Sequence, residues 1–170
     1  MATAFGEYEN IVPLLAPFDR AGTLLETPYI DLQSANRANF LLYFGVVTST
    51  TATDTLTLTM EASTASTSNA SEEAIAFQYR LSAAFATGNT WGAVTDATSA
   101  GVSLGASTVF DGFMVMVDVD PAAVTGKKTD ARYVRLVGTH TDAYSVMLVS
   151  CTAIVAPRYK QTTMIVATVT

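Results

Sequence analysis

The stretch Phe113-Met114-Val115-Met116-Val117-Asp118-Val119-Asp120-Pro121 leaves its backbone little choice. Phe113, Val115, Val117 and Val119 fall at every second position and share one face of a strand, while Met114, Met116, Asp118 and Asp120 share the other. Gly112 opens the segment and Pro121, which cannot donate to a ladder, closes it. A strand with one fully apolar face needs partners, and the rest of the chain supplies them. Ala38 to Thr48 carries Phe40, Leu42, Phe44 and Val46 on one face and Leu41, Tyr43 and Val47 on the other, so it wants cover on both sides. Asp54 to Glu61 alternates Leu56, Leu58 and Met60 with Thr55, Thr57 and Thr59. Tyr144 to Val155 is again apolar on both faces, with Met147, Val149 and Cys151 set against Val146, Leu148 and Ile154.

Strands are expected near 28–33, 38–48, 54–62, 76–83, 90–94, 113–119, 132–138 and 144–155, with a terminal strand beyond 162. Helical periodicity is nearly absent, although Ser71-Glu72-Glu73-Ala74 could cap a single turn. Eight strands without βαβ alternation predict an all-β, antiparallel β-sandwich, with a jelly roll favoured by the count and an immunoglobulin-like sandwich as the alternative. The domain itself is placed at residues 27–161. Residues 1–26 hold Phe5, Tyr8, Ile11, Leu14, Leu15 and Phe18, broken by Pro13, Pro17 and Gly22, and read as an extended arm packed on its own body, a sister subunit or a larger assembly. Residues 162–170, with Met164, Ile165 and Val166, form a charge-free strand or arm that should pair, at home or with another chain.

Composition narrows function. One cysteine, Cys151, excludes an intramolecular disulfide, and with a single histidine, His140, Cys/His zinc clusters are out of reach. Cys151 in its apolar run is read as a small buried hydrophobe. A net charge of −6 with nine scattered basic residues argues against a nucleic-acid surface. The longest apolar run with a large core, 40–47, falls far short of the ~20 residues of a membrane helix, and the acidic N-terminus lacks a secretory pattern, so synthesis in a cytoplasm is expected. Charged residues make up only 14% of the chain, against about 25% in ordinary globular domains. Either the core is unusually rich or apolar surface is left for a partner.

Chemical motifs are few. Asp118-Val119-Asp120 after a hydrophobic strand resembles the Asp-x-Asp nucleophile motif of haloacid-dehalogenase-type phosphotransferases. That motif continues with Thr or Val where this chain has Ala122, and it needs a doubly wound α/β fold, so two solvent-facing acids before a proline are the preferred reading. His140 lies in a polar turn with no Gly-x-Ser-x-Gly elbow to supply a nucleophile. Trp91 with Tyr79 would suit the stacking platform of a sugar-binding sandwich, but a lone Trp is more often a core or interface anchor. No enzyme activity, cofactor, metal or small-molecule substrate is expected.

The phrases Ala76-Phe77-Gln78-Tyr79-Arg80-Leu81-Ser82-Ala83-Ala84, Asn89-Thr90-Trp91-Gly92-Ala93-Val94-Thr95, Phe113 to Pro121, Arg132-Tyr133-Val134-Arg135-Leu136 and Ala156-Pro157-Arg158-Tyr159-Lys160-Gln161 resemble, in order and spacing over roughly residues 28–161, small structural proteins from tailed-phage head gene clusters. The resemblance implies a capsid decoration, or cement, protein: a β-sandwich homotrimer at three-fold positions of the head lattice, bound to the major capsid protein on the virion surface. The candidate interface is then Phe5, Tyr8, Ile11, Leu14, Leu15, Phe18, Tyr43, Trp91, Met147, Val149, Met164, Ile165 and Val166. A carbohydrate-binding module is the alternative.

Overall fold

The computed structural model describes residues 9–22, 24–49, 54–67, 72–83, 90–106, 110–141 and 144–158. Among the described residues, twelve strands build two antiparallel sheets: β1 (Asn10–Asp19), β2 (Leu25–Glu26), β3 (Ile30–Asp31), β4 (Ala35–Ser49), β5 (Leu56–Ser63), β6 (Glu73–Ile75), β7 (Phe77–Leu81), β8 (Thr95–Ala97), β9 (Val102–Ser103), β10 (Met114–Val119), β11 (Tyr133–His140) and β12 (Tyr144–Pro157). Sheet A runs β1-β12-β4-β10-β7-β8, and sheet B runs β2-β11-β5-β6 with β3 and β9 paired to β11 and β5.

This order decides between the two sandwiches. The first strand pairs with the last, β2 with β11, β4 with β10 and β5 with β6, so an antiparallel ribbon of four strand pairs is wound over itself and its pairs fall alternately into sheets A and B. That winding is a jelly roll. Strands β7 and β8 extend sheet A beyond β10.

The winding also corrects the domain boundary, because Asn10–Asp19 is part of the sandwich rather than an arm outside it. The two prolines and two register shifts that break its period do not stop it pairing with β12. Pro is tolerated there because β1 is an edge strand, with one row of backbone groups facing away from the ladder. Val12, Leu14 and Leu15 enter the core, and the Asp19 carboxylate accepts from Met147 N at 2.9 Å and from Ala21 N at 2.9 Å, clamping the end of the strand. Those bonds hold the Asp19 carboxyl below its ordinary pKa.

The core lies between the sheets. Phe40, Leu42 and Phe44 of β4, Leu56, Leu58 and Met60 of β5, and Val115, Val117 and Val119 of β10 are fully enclosed, as the alternation requires. Phe110 joins Phe44 and Tyr144 edge-to-face, with ring centroids 5.2 and 6.2 Å away. In β4, Gly45 and Val46 together oppose Leu148 alone, since Val47 pairs with Met147 and Phe44 with Val149. The extra residue reverses the alternation, so Val47 turns inward while Val46 is 54% exposed.

Three local expectations are corrected. Asp120 accepts from Ala122 N at 2.8 Å and caps a short helix, α1 (Pro121–Lys127), with Pro121 in its first turn. Glu73-Ala74-Ile75 is a strand, because Ile75 is needed in the core opposite Met60. The strand beside β7 expected at 90–94 is instead Thr95–Ala97, and Trp91 makes an isolated bridge to Ser82.

Candidate interaction face

The outer faces of the two sheets differ in chemistry. On sheet B, Thr57, Thr59 and Glu61 alternate with core residues along β5, and Arg135 of β11 stands opposite Glu61. Arg135 is 7% exposed and reaches Glu61 at 2.8 Å, Glu72 at 3.0 Å and Glu26 at 3.4 Å. Its guanidinium lies over the Tyr29 ring, 5.1 Å from the centroid, and the Tyr29 hydroxyl donates to Glu72. Burial and that bond push the Tyr29 phenol above its ordinary pKa. Removing one cation from among three carboxylates leaves uncompensated charge, so Arg135→Ala is expected to cost about 3 kcal/mol. For a chain of this length that is about 6–12 °C in Tm by calorimetry. An unchanged Tm would mean that the cluster does not hold sheet B together.

Sheet A presents the opposite surface. Among the described residues, Ile11, Phe18, Tyr43, Val46 and Leu148 are large hydrophobics 40–62% exposed on its strands, Val94 at 52% leads into β8, and Leu24 beside sheet B is the remaining one. The register sorts this face into rows. One runs Ser150, Tyr43, Met114, Ser82, Trp91 across β12, β4, β10, the end of β7 and the segment before β8. The next runs Pro13, Thr152, Leu41, Met116, Arg80. The third runs Ile11, Ile154, Asn39, Asp118, Gln78, Asp96 and turns polar toward the end of the sandwich that carries α1.

Two expected interface residues therefore come together: Tyr43 and Trp91 share a row, three strand spacings or about 14 Å apart. Ile11 and Phe18 are exposed on β1 of the same sheet. Four others are corrected. Leu14, Leu15, Met147 and Val149 lie in the core of their own chain, the last two because they alternate with Leu148 and share the inner face of β12 with Cys151, Ala153 and Val155. Phe5, Tyr8, Met164, Ile165 and Val166, with the strand expected over 162–170, lie outside the described residues. Leu41, Met114, Met116 and Ile154 were not singled out from the sequence. The alternation of 113–119 had already set the two methionines on the face opposite the core.

The chemical candidates resolve simply. Asp118 is held by a two-pronged pair with Arg37, and Asp120 is a helix cap. His140 ends β11 and packs edge-to-face on Tyr144 at 5.6 Å, rather than standing in a solvated turn. Cys151 is buried, and burial pushes its thiol up to about 12. Among the described residues no three His, Cys, Asp or Glu side chains gather to hold a metal ion, and no helix is long and apolar enough to cross a membrane.

No protein-family model matches the chain, and no curated protein matches it in sequence. Solved structures with some likeness include the CBM22-1–GH10 modules of xylanase 10B from Clostridium thermocellum complexed with xylohexaose, at 13% identity and a TM-score of 0.35, covering 95% of this chain and 28% of that one. Another is infectious bursal disease virus Gt strain, at 11% identity and a TM-score of 0.25, covering 88% of this chain and 41% of that one. The chain spans less than half the length of either. The architecture rests on strand order, not on these likenesses.

Proposed function

We propose that this protein is a structural virion subunit of the tailed-phage decoration type, which associates as a homotrimer and binds the major capsid protein on the outside of the shell after synthesis in the host cytoplasm. The observation that carries the reading is the asymmetry of the sandwich. One outer face is ion-paired and threonine-rich, while the other exposes Tyr43, Val46 and Leu148 in neighbouring rows with Trp91, Met114 and Met116. Apolar residues gathered on one face of a charge-poor chain suit a contact with other copies or with a shell. The sequence resemblance to decoration proteins names the shell.

Multi-angle light scattering is expected to give a mass near three times the 17.9 kDa of the chain, and the protein should co-sediment with undecorated phage heads. A clean monomer at micromolar concentration that leaves heads unbound would overturn the proposal.

A further inference from the structure

The end of the sandwich that carries α1 holds a groove that meets the apolar face of sheet A only at Met116 and Val94. A cleft of about 640 Å³ lies between β7, β8 and the start of β4, with Asn36, Arg37, Gln78, Asp96, Asp118 and Asp120 in its walls. A second, of about 610 Å³, shares Asn36 and Asp120 with the first and continues past α1 to Thr125, Asp130, Arg132 and Arg158. On the other side a small depression shares Arg37, Gln78 and Asp118 and adds Tyr79, Val94 and Met116. The three form one channel.

Its charges are largely spoken for. Arg37 grips both oxygens of Asp118, Arg132 is paired with Asp31, and Gln78 Nε2 donates to Asp96 Oδ1 at 2.9 Å. Across the three depressions, Arg37, Arg80, Arg132 and Arg158 balance Asp96, Asp118, Asp120 and Asp130. A ligand of either net charge would meet as much repulsion as attraction. What the channel offers is donors and acceptors side by side: guanidinium and amide N–H beside carboxylate and amide oxygens. At the Val94–Met116 end it adds apolar surface.

We infer that this groove binds a neutral, hydroxyl-rich chain, an uncharged oligosaccharide. Each hydroxyl both donates and accepts, matching the mixed walls, and the C–H faces of a pyranose match the Val94 and Met116 surface. A peptide would need pockets for side chains, whereas these walls are polar and open.

The test uses the full chain and named probes. Maltohexaose, cellohexaose and chitohexaose are the neutral ligands; a polygalacturonate hexamer and a chitosan hexamer are the anionic and cationic comparators. Titration followed by calorimetry and by the side-chain amide resonances of Asn36 and Gln78 is expected to show at least one neutral hexamer binding and moving both amides. Gln78→Ala and Asp96→Ala should each weaken it by about tenfold or more. Both positions are exposed, so the melting temperature and the mass in solution should stay the same. This separates loss of the groove from loss of assembly. Binding of no neutral hexamer, binding of a charged comparator alone, or neutral binding indifferent to both substitutions would each overturn the assignment.

Discussion

Deleting residues 1–20 is expected to abolish cooperative folding. β1 contributes Val12, Leu14 and Leu15 to the core, and fully buried side chains of this kind are worth about 1.5–3 kcal/mol each. Their sum approaches the whole net stability of a domain, about 5–15 kcal/mol. The deletion also strips the partner from β12 between Leu148 and Val155, baring a row of backbone groups beside Val149, Cys151, Ala153 and Val155. An unpaired edge flanked by apolar side chains is an aggregation template. The truncated chain should be recovered insoluble, or melt without a sharp transition. The domain boundary read from the sequence, near Thr27, predicts the reverse, a truncated protein with an almost unchanged Tm. Circular dichroism melting of the two chains side by side decides between them.

The second large effect concerns assembly. Tyr43→Lys combined with Leu148→Lys places two cations on the apolar face of sheet A, on neighbouring strands. Both side chains are at least 40% exposed in the single chain, so fold stability should move by no more than about 0.5 kcal/mol per site. In a trimer built on this face the same charges would be desolvated and set against their symmetry copies, at a cost of several kcal/mol. Light scattering should then report a monomer at concentrations where the parent is trimeric. Should the double variant keep the parent's mass, the contact lies elsewhere, and the face of sheet A loses its place in the proposed function.

The sequence made legible those elements whose side chains repeat every second residue without interruption. β5 and β10 fall within two residues of expectation because Leu56-Leu58-Met60 and Val115-Val117-Val119 each sit on an unbroken ladder. Legibility failed where the ladder slips. In β12 two equally apolar sets alternate, and only its pairing with β4 fixes Met147, Val149 and Cys151 toward the core, which composition cannot say. In β1 the prolines and the change from Leu14 to Leu15 erase the period, and only the pairing with β12 shows the segment to be a strand. Helix α1 is ambiguous in sequence, since Asp120 followed by Pro121 is a cap and a first-turn residue as much as a strand ending. The face of sheet A was half visible, through Tyr43 and Trp91. Their shared row depends on Met114 and Ser82, which come from other parts of the chain. The groove left no trace, because its walls are contributed by short pieces of β4, β7, β8, β10 and α1 whose residues carry no common motif.

The pairing of Asn10 with Val155 means that the described chain begins and ends side by side, at the pole where α1 and the groove lie. In topological terms the jelly roll is a nearly closed string, and the break in it has one address. That gives the molecule a polarity its sandwich shape hides. The described chain enters and leaves the sandwich at that single pole, while the opposite pole carries the end of β4 at Ser49 and the start of β12 at Tyr144. A string that nearly closes can also be reopened elsewhere: linking the two ends and cutting between β4 and β5 would preserve every strand pair while moving the break to the opposite pole.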